Sequence, residues 1–187
     1  MAHSISSKYT NETFGDNPTL DEKILIFEDR VRNWHLHVAK LVNDSIKAAD
    51  TKNPDWSHAG FGLVTLLFTY FEMIAQYKTG ISSNGASEEL FCYGLNDVYP
   101  GLLSKGKQRK VYARVRCGMY HNAFIKKGTL IDGGYTSPLE VEDGGNVKVN
   151  PHTLYDDVQK HFDEYISELK CPSSKYLRSN FDLMFAS

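Results

Sequence analysis

Residues 60–76 read GFGLVTLLFTYFEMIAQ, and Glu72 is their only charged residue. A helix apolar nearly all round has no face to give to solvent, so the stretch predicts the central helix of a bundle. Lys78-Thr79-Gly80 closes it, with glycine supplying the left-handed cap. Gly60 and Gly62 are read in two ways, as room for close approach by a neighbouring helix or as a weak, frayed first turn. The run is shorter than the roughly 20 residues a membrane span requires, and Glu72 interrupts it.

Toward the N-terminus, Asn53-Pro54-Asp55 separates this helix from a longer one. Thr19-Leu-Asp-Glu22 has the form of a capping box, in which hydroxyl and carboxylate each serve first-turn amides. Leu20, Ile24, Phe27, Val31, Trp34, Val38, Leu41 and Ile46 then predict one apolar stripe running to about Ala49. Residues 1–18 are polar and are expected to form a flexible arm.

Toward the C-terminus, a Ser/Asn/Gly loop precedes a short helix from Glu88 to about Val98, stopped by Pro100-Gly101. Lys105 to Lys127 predicts a helix with an apolar seam at Val111, Val115 and Met119. Residues 129–150 hold β-like fragments between Gly-rich turns, read as a small hairpin. Asn150-Pro151 starts a last helix, Asn as cap and Pro in the first turn. A tail, 171–187, ends in the apolar Phe181-Asp-Leu-Met-Phe185, expected to dock on its own bundle or on a neighbouring copy. The fold class is therefore all-α: an up-and-down bundle of four to five helices within a single domain, 19–170, with a β-hairpin insertion before the last helix.

Composition narrows the class. At 187 residues and 41% hydrophobic, the chain can bury the core of one domain. Cys92, Cys117 and Cys171 are odd in number and widely spaced, which points to reduced thiols rather than a disulfide framework or structural zinc. The N-terminal MAHSISSKYTNETFGDN lacks the apolar segment of a signal peptide. The expectation is a cytoplasmic protein with no membrane partner, no metal and no cofactor. Net charge is only −2, yet residues 105–127 carry eight Lys or Arg and no Asp or Glu. That asymmetry makes the basic helix a candidate nucleic-acid surface, with Lys107, Arg109, Lys110 and Arg114 for phosphates and Tyr120 for stacking on unpaired bases.

Within it lie Arg116 and His121. A guanidinium can hold a scissile phosphate by forked hydrogen bonds, and an imidazole can move the proton of a ribose 2′-hydroxyl or of the leaving oxygen. On a regular helix, positions five apart diverge by about 140°, so both reach one phosphate only across a groove or beside a second copy. Arg30/His35 and Arg32/His37 repeat the spacing, but Arg32 falls opposite the apolar stripe and is expected to face water. Glu72, alone in its apolar run, requires a partner, and Arg116 or Arg109 is the natural one; it is read either as a site acid that positions the catalytic Arg or tunes His121, or as a structural ion pair that fixes helix register.

Arg-x4-His on a late helix of a small helical domain resembles the HEPN superfamily, and Val115-Arg-Cys-Gly-Met-Tyr-His-Asn122 is similar to strings in its bacterial members. The resemblance implies a helical bundle, a homodimer that brings two motifs together, and metal-independent endoribonuclease activity through Arg116 and His121. Cys117 departs from the Asn, Asp or His frequent in nuclease members. The alternative is a non-catalytic HEPN-like dimer that binds RNA or a protein partner.

Overall fold

The computed structural model describes residues 2–49, 59–122 and 126–185. The chain is mostly helical with one small sheet. The long N-terminal helix comprises α1 (Leu20–Arg30), a π-helical segment (Val31–Leu36) and α2 (His37–Ala49). There follow α3 (Gly60–Thr79), α4 (Ser87–Val98), α5 (Lys105–Val111), a second π-helical segment (Tyr112–Arg116) and α6 (Cys117–Asn122). Strands β1 (Thr129–Ile131), β2 (Leu139–Val141) and β3 (Val147–Val149) precede α7 (Pro151–Lys170) and α8 (Lys175–Phe185). The Asn53-Pro54-Asp55 break lies outside the described residues.

Helix α3 is the centre that its composition requires. Leu63, Val64, Leu67, Phe68, Tyr70, Phe71, Ile74 and Ala75 are wholly buried, and α2, α4, α7 and α8 all pack on it. Its closest neighbour is α4. A Cβ added at Gly94 would lie 1.9 Å from the Phe71 carbonyl oxygen, so the two backbones touch there. Gly60 and Gly62 do not make that approach: beside Gly62 there is open space, and Gly60 faces the side chain of Ile131.

The N-terminal stripe is broken where sequence periodicity predicts continuity. Buried positions run Ile24, Phe27, Val31, then Leu36, Ala39, Asn43 and Ile46, a step of five residues across the π-helical turn. One extra residue in the turn rotates everything after it by about 100°. Trp34, Val38 and Leu41 are consequently exposed. The capping box at Thr19 and Glu22 is formed, and the segment before it meets α1 through Ile5 and Lys8. Buried Asp29 accepts the Lys8 amide at 2.9 Å, and Arg30 Nε donates to the Ile5 carbonyl at 2.6 Å.

The insertion is larger than a hairpin. Antiparallel β2–β3 is joined by β1, parallel to β3, in the order β1-β3-β2. Leu139, Val141, Val147 and Val149 face the core, while Glu140 and Lys148 pair on the other face. Asn150 caps α7 by accepting from the amides of His152 and Thr153. The C-terminal tail is itself a helix. In α8, Phe181 is buried against Phe27 and Tyr77, and Asn180 Nδ2 donates to the Lys78 carbonyl at the end of α3. Among the described residues no helix is long and apolar enough to cross a membrane.

Candidate functional site

Val111, Val115 and Met119 are buried, as the helical spacing predicts, and they fix which way the charged residues of α5 and α6 point. Because successive positions turn through about 100°, the cations diverge instead of sharing one strip. Arg109 pairs with Glu88 of α4 at 3.0 Å. Arg114 donates to the Lys127 carbonyl at 3.1 Å, and with Lys110 it lies over Gly145 in the β2–β3 turn. Lys107 is partly exposed.

Arg116 points elsewhere, to α3. It ends the second π-helical segment, where the Cys117 amide bonds to the Tyr112 carbonyl five residues back. Single π turns within α-helices recur at functional sites. The Arg116 guanidinium lies 5.5 Å from the Tyr112 ring centroid, and its Nη2 donates to Glu72 Oε2 at 2.8 Å. The other carboxylate oxygen of Glu72 accepts from Ser87 Oγ at 2.7 Å. Of the two partners expected for Glu72, the fold selects Arg116. Two turns earlier on α3, Thr65 Oγ1 lies 3.1 Å from Met119 Sδ. The first π-helical segment meets the same stretch of α3: His35 Nε2 is 2.8 Å from the Leu66 carbonyl, and burial lowers the pKa of the ring. The backbone of Tyr120 and His121 belongs to α6, and their side chains lie outside the described part of the structure.

Of the competing pairs, Arg30 and His35 bond to different backbone carbonyls, those of Ile5 and Leu66, while Arg32 and His37 line one small groove with Tyr155 and Gln159. Arg32 does not simply face water; it bridges Glu28 at 3.0 Å and Asp163 of α7 at 2.6 Å. His37 is exposed.

A polar chain that local spacing does not reveal joins three helices. Tyr70 Oη lies 2.8 Å from His161 Nδ1, His161 Nε2 lies 2.9 Å from Asp97, and Lys78 Nζ reaches Asp97 at 2.7 Å. With Asp97 ionised, Nε2–H donates to it and Nδ1 accepts from the Tyr70 hydroxyl. Burial raises the Tyr70 pKa, which suits a donor. Burial alone would raise the Asp97 carboxyl as well, but hydrogen bonds from His161 and Lys78 outweigh it and hold the group below its ordinary value. His161 and Asp97 line a groove of about 490 Å³ with Tyr99, Pro138 and Lys160. The companions of His161 lie far off in sequence on α3 and α4, so sequence spacing gives no sign of them.

A depressed carboxyl stabilises the fold above its unfolded pKa, near 3.8, and that contribution fades as pH falls through the folded value. Asp97→Asn is therefore expected to be less stable than wild type at pH ~7, and to lose less stability than wild type between pH ~4 and ~2. Urea unfolding at pH ~7 and again from pH ~4 to ~2 checks both signs.

Among the described residues, no three His, Cys, Asp or Glu side chains gather as they would around a metal ion. Comparison with protein-family models, curated proteins and solved structures returns no match.

Proposed function

We propose that this chain is a HEPN-like up-and-down bundle acting in the cytoplasm on RNA, as a metal-independent endoribonuclease with Arg116 and His121 as its working pair. The observation that carries the reading is the Arg116 guanidinium, oriented by Glu72 at the end of a π turn, with His121 on the helix that follows. In the reaction, the ribose 2′-oxygen bonds to phosphorus as the bond from phosphorus to the 5′-oxygen breaks, leaving a cyclic phosphate and a free hydroxyl. Arg116 stabilises the charge developing on the phosphoryl oxygens. His121 takes the 2′-proton or supplies one to the leaving oxygen. A homodimer agrees with the exposed Trp34, Val38 and Leu41, which sit on and just beyond the π-helical segment that contacts α3.

A second reading, a non-catalytic dimer that binds RNA or protein, draws support from the same geometry. Glu72 occupies one edge of the Arg116 guanidinium, while Arg109 engages α4 and Arg114 the insertion. The test is incubation of an end-labelled, mixed-sequence single-stranded RNA with the protein in EDTA. Cleavage to cyclic-phosphate ends supports the nuclease. RNA retention that weakens steeply with salt, without cleavage, supports the binding module.

A further inference from the structure

Ser87 opens α4, whose N-cap, Ala86, offers no side-chain hydrogen bond to the helix end. A serine in a first helical turn ordinarily serves the local backbone. Here its hydroxyl crosses to α3 instead, donating to Glu72 Oε1 at 2.7 Å while Glu72 Oε2 accepts from Arg116 at 2.8 Å. Each carboxylate oxygen thus has its own fixed donor, and the carboxylate cannot swing without breaking one of them. Glu88, the next residue, holds Arg109. The start of α4 therefore grips the basic segment twice, once directly and once through Glu72.

The geometry points to Ser87 as a positioning residue for Arg116: it locks the Glu72 carboxylate, and through it the orientation in which the guanidinium meets a phosphodiester. The catalytic consequence rests on the RNA-cleaving reading above, whereas the positional part stands on contacts within the chain.

The two parts are separable by experiment. Rotation of the Arg116 guanidinium about its Nε–Cζ bond is measured by ¹⁵N exchange NMR in wild type, Ser87→Ala and Ser87→Thr. Ser87→Ala is expected to speed that rotation about tenfold, and Ser87→Thr, which keeps the hydroxyl, to restore the wild-type rate. On RNA, Ser87→Ala is expected to lower kcat about tenfold with KM nearly unchanged, because misplacement of a working group is felt in the transition state. Unchanged Arg116 rotation in Ser87→Ala would overturn the proposal, even if stability or cleavage fell. If wild-type protein cleaves no RNA, the nuclease reading fails, and the NMR comparison still decides the role of Ser87.

Discussion

Gly94→Ala is expected to destabilise the fold by at least about 3 kcal/mol, a fall in Tm on the order of 10 °C for a chain of this size. The new methyl carbon would start 1.9 Å from the Phe71 carbonyl oxygen, where ordinary contact begins near 3.4 Å. The obstacle is main chain, so no rotamer change relieves it. Helices α3 and α4 must part, loosening Phe68, Phe71 and Phe91, which interlock across the crossing with ring centroids 5.4 to 5.6 Å apart. Gly62→Ala is the control: with open space beside it, it should be neutral or stabilise the helix by up to about 1 kcal/mol. Urea unfolding of the two variants measures the contrast. Equal, small effects would mean that the backbones do not touch.

The second large effect concerns the proposed chemistry. His121→Ala is expected to reduce RNA cleavage about 10² to 10⁴-fold, the usual contribution of a general acid or base. Arg116→Lys separates charge from shape. Lysine keeps the positive charge but loses the planar fork that engages Glu72 and a phosphate together. Cleavage by Arg116→Lys is expected to fall about 10²-fold or more, comparable to removal of a transition-state donor. RNA affinity should change little, since a single phosphate contact contributes weakly to the salt-dependent total. Single-turnover cleavage and filter binding report the two quantities separately. Near-wild-type cleavage by either variant would remove the substituted residue from the reaction, whereas binding without cleavage by the wild type would leave the binding module as the better reading.

What was legible in the sequence was largely local. The Thr19 and Asn150 caps, the central α3 and the buried seam through Val111 and Val115 follow from neighbours within one or two turns. So does the need of Glu72 for a cation, although only the fold decides that Arg116 and not Arg109 supplies it. Features that depend on the helix wheel fail wherever the wheel changes pitch: regular periodicity places Trp34, Val38 and Leu41 on the apolar stripe, and they emerge in solvent. The C-terminal helix has a local signal in Leu177 and Phe181, which are one turn apart and both buried. The parallel pairing of β1 with β3, and the link of Tyr70 through His161 to Asp97, unite residues with no sequence spacing in common. The side chains of Tyr120 and His121 complete the candidate motif only in sequence.

The π-helical segment Val31–Leu36 also bears on how this chain tolerates changes of length. In a regular helix, deleting one residue throws every later side chain off its partner. Here the turn already holds one residue more than an α-helix would, so losing Arg32 or Asn33 would let the segment close into ordinary α geometry while Ala39, Asn43 and Ile46 keep their places. The long N-terminal helix thus contains its own expansion joint, and chains of this fold one residue shorter at that point can share the same core.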